Sequence, residues 1–383
     1  MPDIPWELVT APDALELAAR RLETETAVGV DLEADSMFHF QEKVCLVQIA
    51  GRDRCYLVDT LQTGGLSALQ PFFADTEIRK IFHGSDYDIR SLHRDFGIEV
   101  VNLFDTQLAC RFLGMKFTGL DAVLNLFFGI HLEKKFQKKD WSQRPLPNEM
   151  LEYAARDAIY LRELSVLLEE RMAETGRWDW FRAECEHYSH VRCAPSNGEP
   201  RFLRFKGAGR LSRRSLAVLE ALLEFRESVA RELDRPLYQV IHNDVLLRLT
   251  VEKPQRMEQL DTSGILSAKQ LKRYGVRIVE AIAGAMSLKS SRLPVYPRHR
   301  EPTPDESVVA RATALKKWRD SVAATLEIEP ALLGNNALMT AISQRNPENM
   351  DALSEIDGIR PWLLQAYGNN ILTVLAERSK ISG

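Results

Sequence analysis

Residues 28–33 read Val-Gly-Val-Asp-Leu-Glu, an apolar run that ends in two acids placed two positions apart. The run belongs to 27–32, Ala-Val-Gly-Val-Asp-Leu, which has the composition of a buried strand. Successive side chains of a strand point to opposite faces, so Asp31 and Glu33 would share one face. Two carboxylates beside buried valines repel each other and lose hydration, and a divalent cation such as Mg²⁺ or Mn²⁺ would relieve both effects. The alternative is that both acids lie beyond the strand end in water, where most acids are found.

The residues around this run predict an α/β domain. Further strands are predicted at 44–50, 55–59 and 80–82. The first three strands are close in sequence, which favours an antiparallel meander. Helices are predicted over 66–73, 86–95, 106–113, 120–128 and from about Pro147 to Glu174, with Pro147 at the first helical position. The sum is a mixed sheet flanked by helices.

The C-terminal half lacks strand alternation and contains an internal repeat. Phe-Arg-Glu-Ser-Val-Ala at 225–230 recurs as Trp-Arg-Asp-Ser-Val-Ala at 318–323, and Tyr-Gly at 274–275 recurs at 367–368 with the same offset of 93 positions. Ordered matches at one offset indicate two copies of a helical module. The 4 prolines within 292–304 predict a stiff, extended linker between the copies. The predicted domains are therefore 1–200, 208–290 and 304–383.

Composition excludes several classes of protein. With 45% hydrophobic and 27% charged residues, the chain can build folded cores. No apolar run approaches the roughly 18 residues that cross a bilayer, and the N-terminus has no pattern of a secretion signal. The 5 cysteines are scattered without a Cys-x-x-Cys pair, which favours a reducing cytoplasm over a disulfide framework or a zinc site. No phosphate-binding loop of the helicase type is present.

The net charge of −4 does not by itself indicate nucleic-acid binding, but the basic residues are clustered. Residues 201–214 contain 6 Lys or Arg and no acid, and 134–139 contain 4 Lys. Either cluster could contact phosphates. The alternative, which the frequency of such runs favours, is a solvated linker and a solvated loop.

Further acids follow a predicted strand in His-Gly-Ser-Asp-Tyr-Asp at 83–88. Ser85 or Asp86 could cap the following helix. Asp88 would lie in its first turn, where an acid also complements the helix dipole. This motif alone does not decide between a structural and a chemical role.

The last helix of this half contains Tyr153 and Asp157, four positions apart and therefore on one helical face. An acid that faces a sheet is costly without a partner. A cation shared with Asp31 and Glu33 would provide that partner. The alternative is a surface aspartate beside a tyrosine at the core edge.

A strand Asp-x-Glu, a later helical Asp and a helical Tyr-x-x-x-Asp occur in this order within one α/β unit. The combination resembles the DEDD exonucleases of the tyrosine subclass, and within them the ribonuclease D family, which has a ribonuclease H-like fold. The repeated modules resemble HRDC domains, which are helical nucleic-acid-binding modules. The matching motifs are Val-Asp-Leu-Glu-Ala-Asp at 30–35 and those at 81–92, 103–114, 140–147 and 153–161. The chain departs from the family at Lys139, where a small polar residue is frequent.

The resemblance implies a 3′-5′ exoribonuclease that uses two divalent cations, Mg²⁺ or Mn²⁺, and releases nucleoside 5′-monophosphates. It further implies trimming of the 3′ ends of structured RNA such as precursor tRNA. Tyr153 would orient the attacking water. Asp88 is preferred to Asp86 because the family's acid stands five residues after the histidine that matches His83. The implied metal ligands are Asp31, Glu33, Asp88 and Asp157.

The expected partner is RNA with a single-stranded 3′ end, bound by a cytoplasmic, monomeric chain that does not contact a membrane. Contacts with the RNA strand are predicted at His83, Lys138 and Arg144. Basic residues favour RNA binding by the first helical module, whereas the second is more acidic and could be mainly structural. Two alternatives are a DNA-directed 3′-5′ exonuclease and a non-catalytic RNA-binding protein with a degenerate site. The basic residues that favour this role include Arg226, Arg231, Lys269, Lys272 and Arg273.

Overall fold

The computed structural model describes residues 4–193, 198–297 and 305–379. They form two compact units, which are 4–34 with 44–193 and 305–379, and 35–43 with 198–297. No helix in these described ranges combines the length and the apolar character that crossing a bilayer requires. The predicted domain limits stay predictions. The predicted linker at 292–304 lies mostly outside the described residues.

A six-stranded mixed sheet forms the centre of the first unit. Its strands are β1 (Trp6–Val9), β2 (Ala27–Ala34), β3 (Val44–Ala50), β4 (Cys55–Asp59), β5 (Arg79–Phe82) and β6 (Leu103–Asp105). They lie in the order β1-β4-β3-β2-β5-β6. β2, β3 and β4 form the predicted antiparallel meander, whereas the pairs β1–β4, β2–β5 and β5–β6 are parallel. The predicted mixed sheet is confirmed.

The sequence prediction missed the two edge strands, β1 and β6. They contain 4 and 3 residues. β1 pairs in parallel with β4, which is distant in sequence, and Trp6 lies opposite Cys55. β6 pairs in parallel with β5, from which a helix separates it, and Leu103 lies opposite Lys80. So short a segment shows no clear periodicity, and its pairing partner decides its conformation.

Helices cover the sheet on both faces, which confirms the predicted α/β architecture. A 3₁₀ turn at Ser67–Leu69 precedes α3, where a continuous helix over 66–73 was predicted. The helices are α1 (Pro12–Leu22), α2 (Thr60–Thr63), α3 (Gln70–Ala74), α4 (Asp86–Phe96), α5 (Thr106–Phe112), α6 (Leu120–Phe128), α7 (Asn148–Ile159), α8 (Leu161–Thr175) and α9 (Trp178–Ser189).

The long helix predicted from Pro147 to Glu174 is two helices, α7 and α8, which meet at Tyr160. α7 packs on β2, β3 and β4, whereas α8 packs on β2 and β5. The end of α7 lies directly on Gly29 of β2. A Cβ atom at this position would lie 2.3 Å from a backbone oxygen of α7, so the close approach requires glycine. The prediction of Pro147 at the first helical position is also wrong, because its ψ of 145° is extended and the helix begins at Asn148.

The two helical modules confirm the predicted internal repeat. In the first, the Arg226 guanidinium donates to Asn243 Oδ1 at 2.6 Å. In the second, Arg319 donates to Asn336 Oδ1 at 3.0 Å, and both partners are displaced by the same 93 positions. The modules comprise α10 (Arg213–Leu233), α11 (Leu237–Val240), α12 (Asn243–Glu252), α13 (Met257–Thr262) and α14 (Ala268–Ser287), then α15 (Glu306–Leu326), α16 (Asn336–Arg345), α17 (Met350–Ser354) and α18 (Pro361–Ser379).

Two expectations about basic residues of the first module are wrong. Arg226 is only 8% exposed and holds the module together, so it is not a surface contact for RNA. The segment 201–214 is not a solvated linker, because Phe202 and Phe205 are buried in the module's core. Arg214 of this segment donates to the Leu288 carbonyl at 2.7 Å, beside the end of α14. The segment is therefore part of the first module.

Candidate metal centre

β2 presents Asp31 and Glu33 on one face of the sheet. The strand continues to Ala34, so both acids lie within it, and the alternative that they stand beyond its end is wrong. Asp31 lies opposite Gln48 of β3, and Glu33 lies opposite Leu46. Both acids are partly exposed, so this part of the sheet is open to solvent.

α7 lies across the same face and adds a third acid. Small residues of this helix, Ala154 and Ala155, are buried against the sheet and allow a close approach. The carboxylates of Asp31, Glu33 and Asp157 offer oxygen atoms that all lie within 4.8 Å of one another. One turn earlier on α7, Tyr153 lies close enough to Asp157 for the charge of that carboxylate to raise the pKa of the phenol. The structure thus brings together the strand motif and the helix motif that the sequence separates by more than 100 positions.

The structure also distinguishes the two acids at the start of α4. Asp86 is exposed and forms an ion pair with Arg90, whose Nε donates to Asp86 Oδ2 at 2.9 Å. Asp88 is 8% exposed, and its charge is close enough to Glu33 to raise the pKa of that carboxyl group. Asp88 therefore faces the acidic cluster. Its oxygens are not among those of Asp31, Glu33 and Asp157 that lie within 4.8 Å of one another.

Burial raises the pKa of every acid in this cluster. The pKa of Asp31 rises to about 7. That of Asp157 rises to about 8, because of burial and the neighbouring Asp31 charge. Burial and mutual repulsion also raise the pKa of Glu33 and of Asp88 well above the ordinary range. The four carboxylates therefore resist ionising together at neutral pH unless a cation compensates them.

The donor set fits hard divalent cations. It consists of carboxylate oxygens without a sulfur or imidazole ligand, which suits Mg²⁺ or Mn²⁺ better than zinc or copper. Repulsion among neighbouring carboxylates is what a bound cation relieves. The carboxylates of Asp31, Glu33 and Asp157 therefore fit a divalent cation, and the assignment of the metal ligands stays a prediction.

Comparison with known proteins agrees with this geometry. The profile of a 3′-5′ exonuclease family matches residues 6–173, and the HRDC domain profile matches 215–282 and 309–375. Ribonuclease D of Desulfotalea psychrophila is 31% identical over 88% of this chain and 89% of its own length. That of Gluconacetobacter diazotrophicus is 32% identical over 79% and 78%. The chain belongs to the ribonuclease D family. It is thereby an enzyme of the 3′-5′ exoribonuclease class.

The similarity to a solved ribonuclease D structure extends over nearly the whole chain. The crystal structure of Escherichia coli RNase D superposes with a TM-score of 0.77 over 97% of this chain and 99% of that one, at 24% sequence identity. The match includes both helical modules, which are HRDC domains as the sequence predicted.

A buried acid that the sequence analysis did not single out, Asp105, organises the segment that presents Asp88. It accepts hydrogen bonds from the backbone nitrogens of Gly84 at 3.0 Å and Ser85 at 2.7 Å. It also accepts from the Ser85 hydroxyl at 2.8 Å and caps α5 through the Leu108 nitrogen. Ser85 therefore does not cap α4 with its side chain, contrary to one reading of the sequence. An aspartate between a strand and a helix was the available signal for Asp105.

The aromatic surroundings of Tyr153 come from the loop that precedes α7. Its ring meets the edge of Phe136 with centroids 5.7 Å apart and lies 6.2 Å from Trp141. Arg144 anchors this loop to the sheet, since its Nε and Nη2 donate to the buried Asp59 carboxylate at 2.5 and 2.7 Å. The loop thus holds the Tyr153 ring beside the acidic cluster.

The three residues predicted to contact the RNA strand have different environments, and their contact with RNA stays a prediction. Arg144 is engaged with Asp59, as described above. His83 Nδ1 is 2.9 Å from the Thr106 hydroxyl, and burial lowers the pKa of His83, so its imidazole is neutral at pH 7. Lys138 is exposed. Of these three, Lys138 has the environment of a surface phosphate contact.

Proposed function

We propose that this chain removes nucleotides one at a time from the 3′ end of structured RNA by metal-dependent hydrolysis. The observation that carries the proposal is the cluster of Asp31, Glu33 and Asp157 oxygens within 4.8 Å, with Asp88 buried beside it. Precursor tRNA is the proposed substrate class. The related E. coli RNase D is described as an exoribonuclease involved in structured RNA processing, which supports this choice.

Four carboxylates are the proposed ligands of two divalent cations, Mg²⁺ or Mn²⁺. Bound cations would stabilise the attacking and leaving oxygens of the phosphodiester. The protein contributes a rigid arrangement, because Asp31 and Glu33 are fixed by strand pairing and Asp157 by the packing of α7 on the sheet. Asp88 is positioned through the Asp105 hydrogen bonds to the preceding turn.

Tyr153 is proposed to orient the attacking water as a neutral phenol. Burial and the nearby Asp157 charge raise the pKa of Tyr153 above its usual value, so the hydroxyl keeps its proton at neutral pH. A neutral phenol can donate one hydrogen bond and accept another. Tyr153 therefore holds a water rather than removing its proton.

The first HRDC domain is the proposed RNA-binding arm. Residues 198–297 contain 18 Lys or Arg against 11 Asp or Glu, whereas 305–379 contain 7 against 10. Lys269, Lys272 and Arg273 lie on the exposed side of α14. The position of α18 that corresponds to Lys269 is Trp362, which is buried within the first unit. The position that holds an exposed lysine in the first copy thus holds a buried tryptophan in the second.

The test is digestion of a 5′-labelled, structured RNA with a single-stranded 3′ tail, in Mg²⁺, Mn²⁺ or EDTA. We expect a metal-dependent ladder that shortens from the 3′ end. The chain offers a matched pair of variants, since Asp88→Asn alters the cluster and Asp86→Asn alters an exposed acid two positions away. Asp88→Asn should abolish the ladder, and Asp86→Asn should retain it.

Other outcomes would separate the alternative functions. Faster digestion of a DNA strand of the same sequence would favour a DNA-directed exonuclease. RNA left intact by the wild-type chain in every metal would favour a non-catalytic RNA-binding protein. We further propose a monomer, to be tested by sedimentation equilibrium, and a reducing cytoplasmic environment, which suits 5 cysteines that are all free thiols.

A further inference from the structure

Gln48 is a buried amide in the middle of β3. Its residue is 0% exposed. Within the described part of the chain, neither Oε1 nor Nε2 of Gln48 has a hydrogen-bond partner. Most buried side-chain polar atoms in proteins have such a partner, and burying an amide without one destabilises a fold. A polar residue at this position therefore needs a reason other than stability.

The strand register shows which groups Gln48 can reach. It lies opposite Asp31 on β2 and opposite Leu57 on β4. Residues directly opposite in an antiparallel pair have Cβ atoms about 4.5–5.5 Å apart on the same face, close enough for side chains to interact. Leu57 and the alanines of α7 lie beside Gln48 in one buried apolar cluster. Asp31 is the polar side chain that the strand register places directly opposite Gln48.

We propose that Gln48 is a positioning residue of the metal centre, whose Nε2 donates a hydrogen bond to the Asp31 carboxylate in the metal-loaded site. The inference rests on the proposed function. A carboxylate that holds a cation through one oxygen can accept a hydrogen bond at the other, and such a bond fixes its orientation. An amide can do this without adding charge to a cluster that already contains four acids.

The replacement Gln48→Met separates this role from a structural one. Methionine has nearly the same length but no donor or acceptor, and it suits an apolar core. If Gln48 served only packing, methionine would preserve that packing and the affinity for Mn²⁺ would stay unchanged. If Gln48 positions Asp31, the variant removes an unpaired buried amide and should leave the metal-free protein equally stable or more stable, while metal binding weakens.

The experiment measures Mn²⁺ binding to the full chain without RNA, by counting free Mn²⁺ with electron paramagnetic resonance. Thermal unfolding of the same proteins is recorded in EDTA. Gln48→Met should bind Mn²⁺ about 10- to 100-fold more weakly, with an unfolding temperature in EDTA at or above the wild-type value. Leu57→Met, on the same face one strand away, is the matched control and should leave Mn²⁺ affinity unchanged.

Unchanged Mn²⁺ affinity of Gln48→Met would overturn the inference, and so would a lower unfolding temperature of this variant in EDTA. Either result leaves the proposed function intact, provided that the wild-type chain binds Mn²⁺. A wild-type chain that binds no divalent cation would overturn the proposed function itself and this inference with it. The two failures are thus distinguishable by the wild-type titration.

Discussion

Replacing Trp362 by alanine should detach the second HRDC domain from the exonuclease domain. Both belong to the first compact unit. Trp362 is 4% exposed and stacks on Trp180, with centroids 5.0 Å apart and planes 22° apart. It also meets the edge of Phe112 at 6.0 Å. Its Nε1 donates to Glu184 Oε1 at 2.7 Å, and Arg360 donates to the same oxygen at 3.1 Å.

The expected loss follows from these contacts. Truncating a buried tryptophan to alanine costs about 3–5 kcal/mol. The buried Glu184 also loses one of its donors, and a hydrogen bond to a charged group contributes about 1.5–3 kcal/mol. Because Arg360 remains to compensate the carboxylate, we expect the lower part of that second range. A total of about 4.5–6.5 kcal/mol is a large fraction of the 5–15 kcal/mol that typically stabilises a folded protein.

The assay is urea unfolding followed by circular dichroism, combined with limited proteolysis and mass spectrometry of the fragments. Trp362→Ala should unfold at lower urea concentration and release a C-terminal fragment. Lys269→Ala is the matched control, because it changes the corresponding but exposed position of the first HRDC domain. Its effect should stay within about 0.5 kcal/mol. This account of the interface would be refuted if the free energy of unfolding of Trp362→Ala lay within about 1 kcal/mol of the wild-type value.

Three further predictions concern charge. Because burial raises the pKa of Asp31 to about 7 and of Asp157 to about 8, their bound protons stabilise the metal-free fold fully below about pH 4. This contribution is lost progressively as the pH rises from about 4 to about 8, so the unfolding temperature in EDTA should fall across that range, and added Mn²⁺ should restore it at neutral pH. Arg144→Ala should cost about 3–5 kcal/mol in urea unfolding, because Asp59 would remain buried without its bidentate partner. Lys272→Glu should weaken RNA binding and reduce its salt dependence in a fluorescence anisotropy titration, without changing the unfolding midpoint.

Much of the exonuclease fold was predictable from local sequence. The strands at Val44–Ala50 and Cys55–Asp59 and the helix at Leu120–Phe128 have the predicted bounds. These segments are apolar runs that end at glycine or at turn residues, and such signals are local. The repeat was also readable, because the two modules use the same internal contacts at one offset. Where conformation depends on distant pairing, as in β1 and β6, the sequence signal failed.

A buried arginine accounts for one error about surface contacts. A positive charge in sequence suggests a solvent or phosphate contact, yet Arg226 donates its hydrogen bonds inside the first module. A guanidinium group offers several donors, and three-dimensional packing decides whether carbonyl groups and carboxylates receive them. Spacing along the chain contains no information about such partners.

The sequence by itself determined which residues are candidates for the metal centre. Asp31 and Glu33 must share a face if the strand forms, and Tyr153 and Asp157 must share one if the helix forms, because backbone periodicity sets both relations. Only the tertiary structure decided that these faces meet, that Asp88 rather than Asp86 turns inward, and that Gln48 lies opposite Asp31. The physical reason is that strand register and helix packing are set by contacts between residues far apart in the chain.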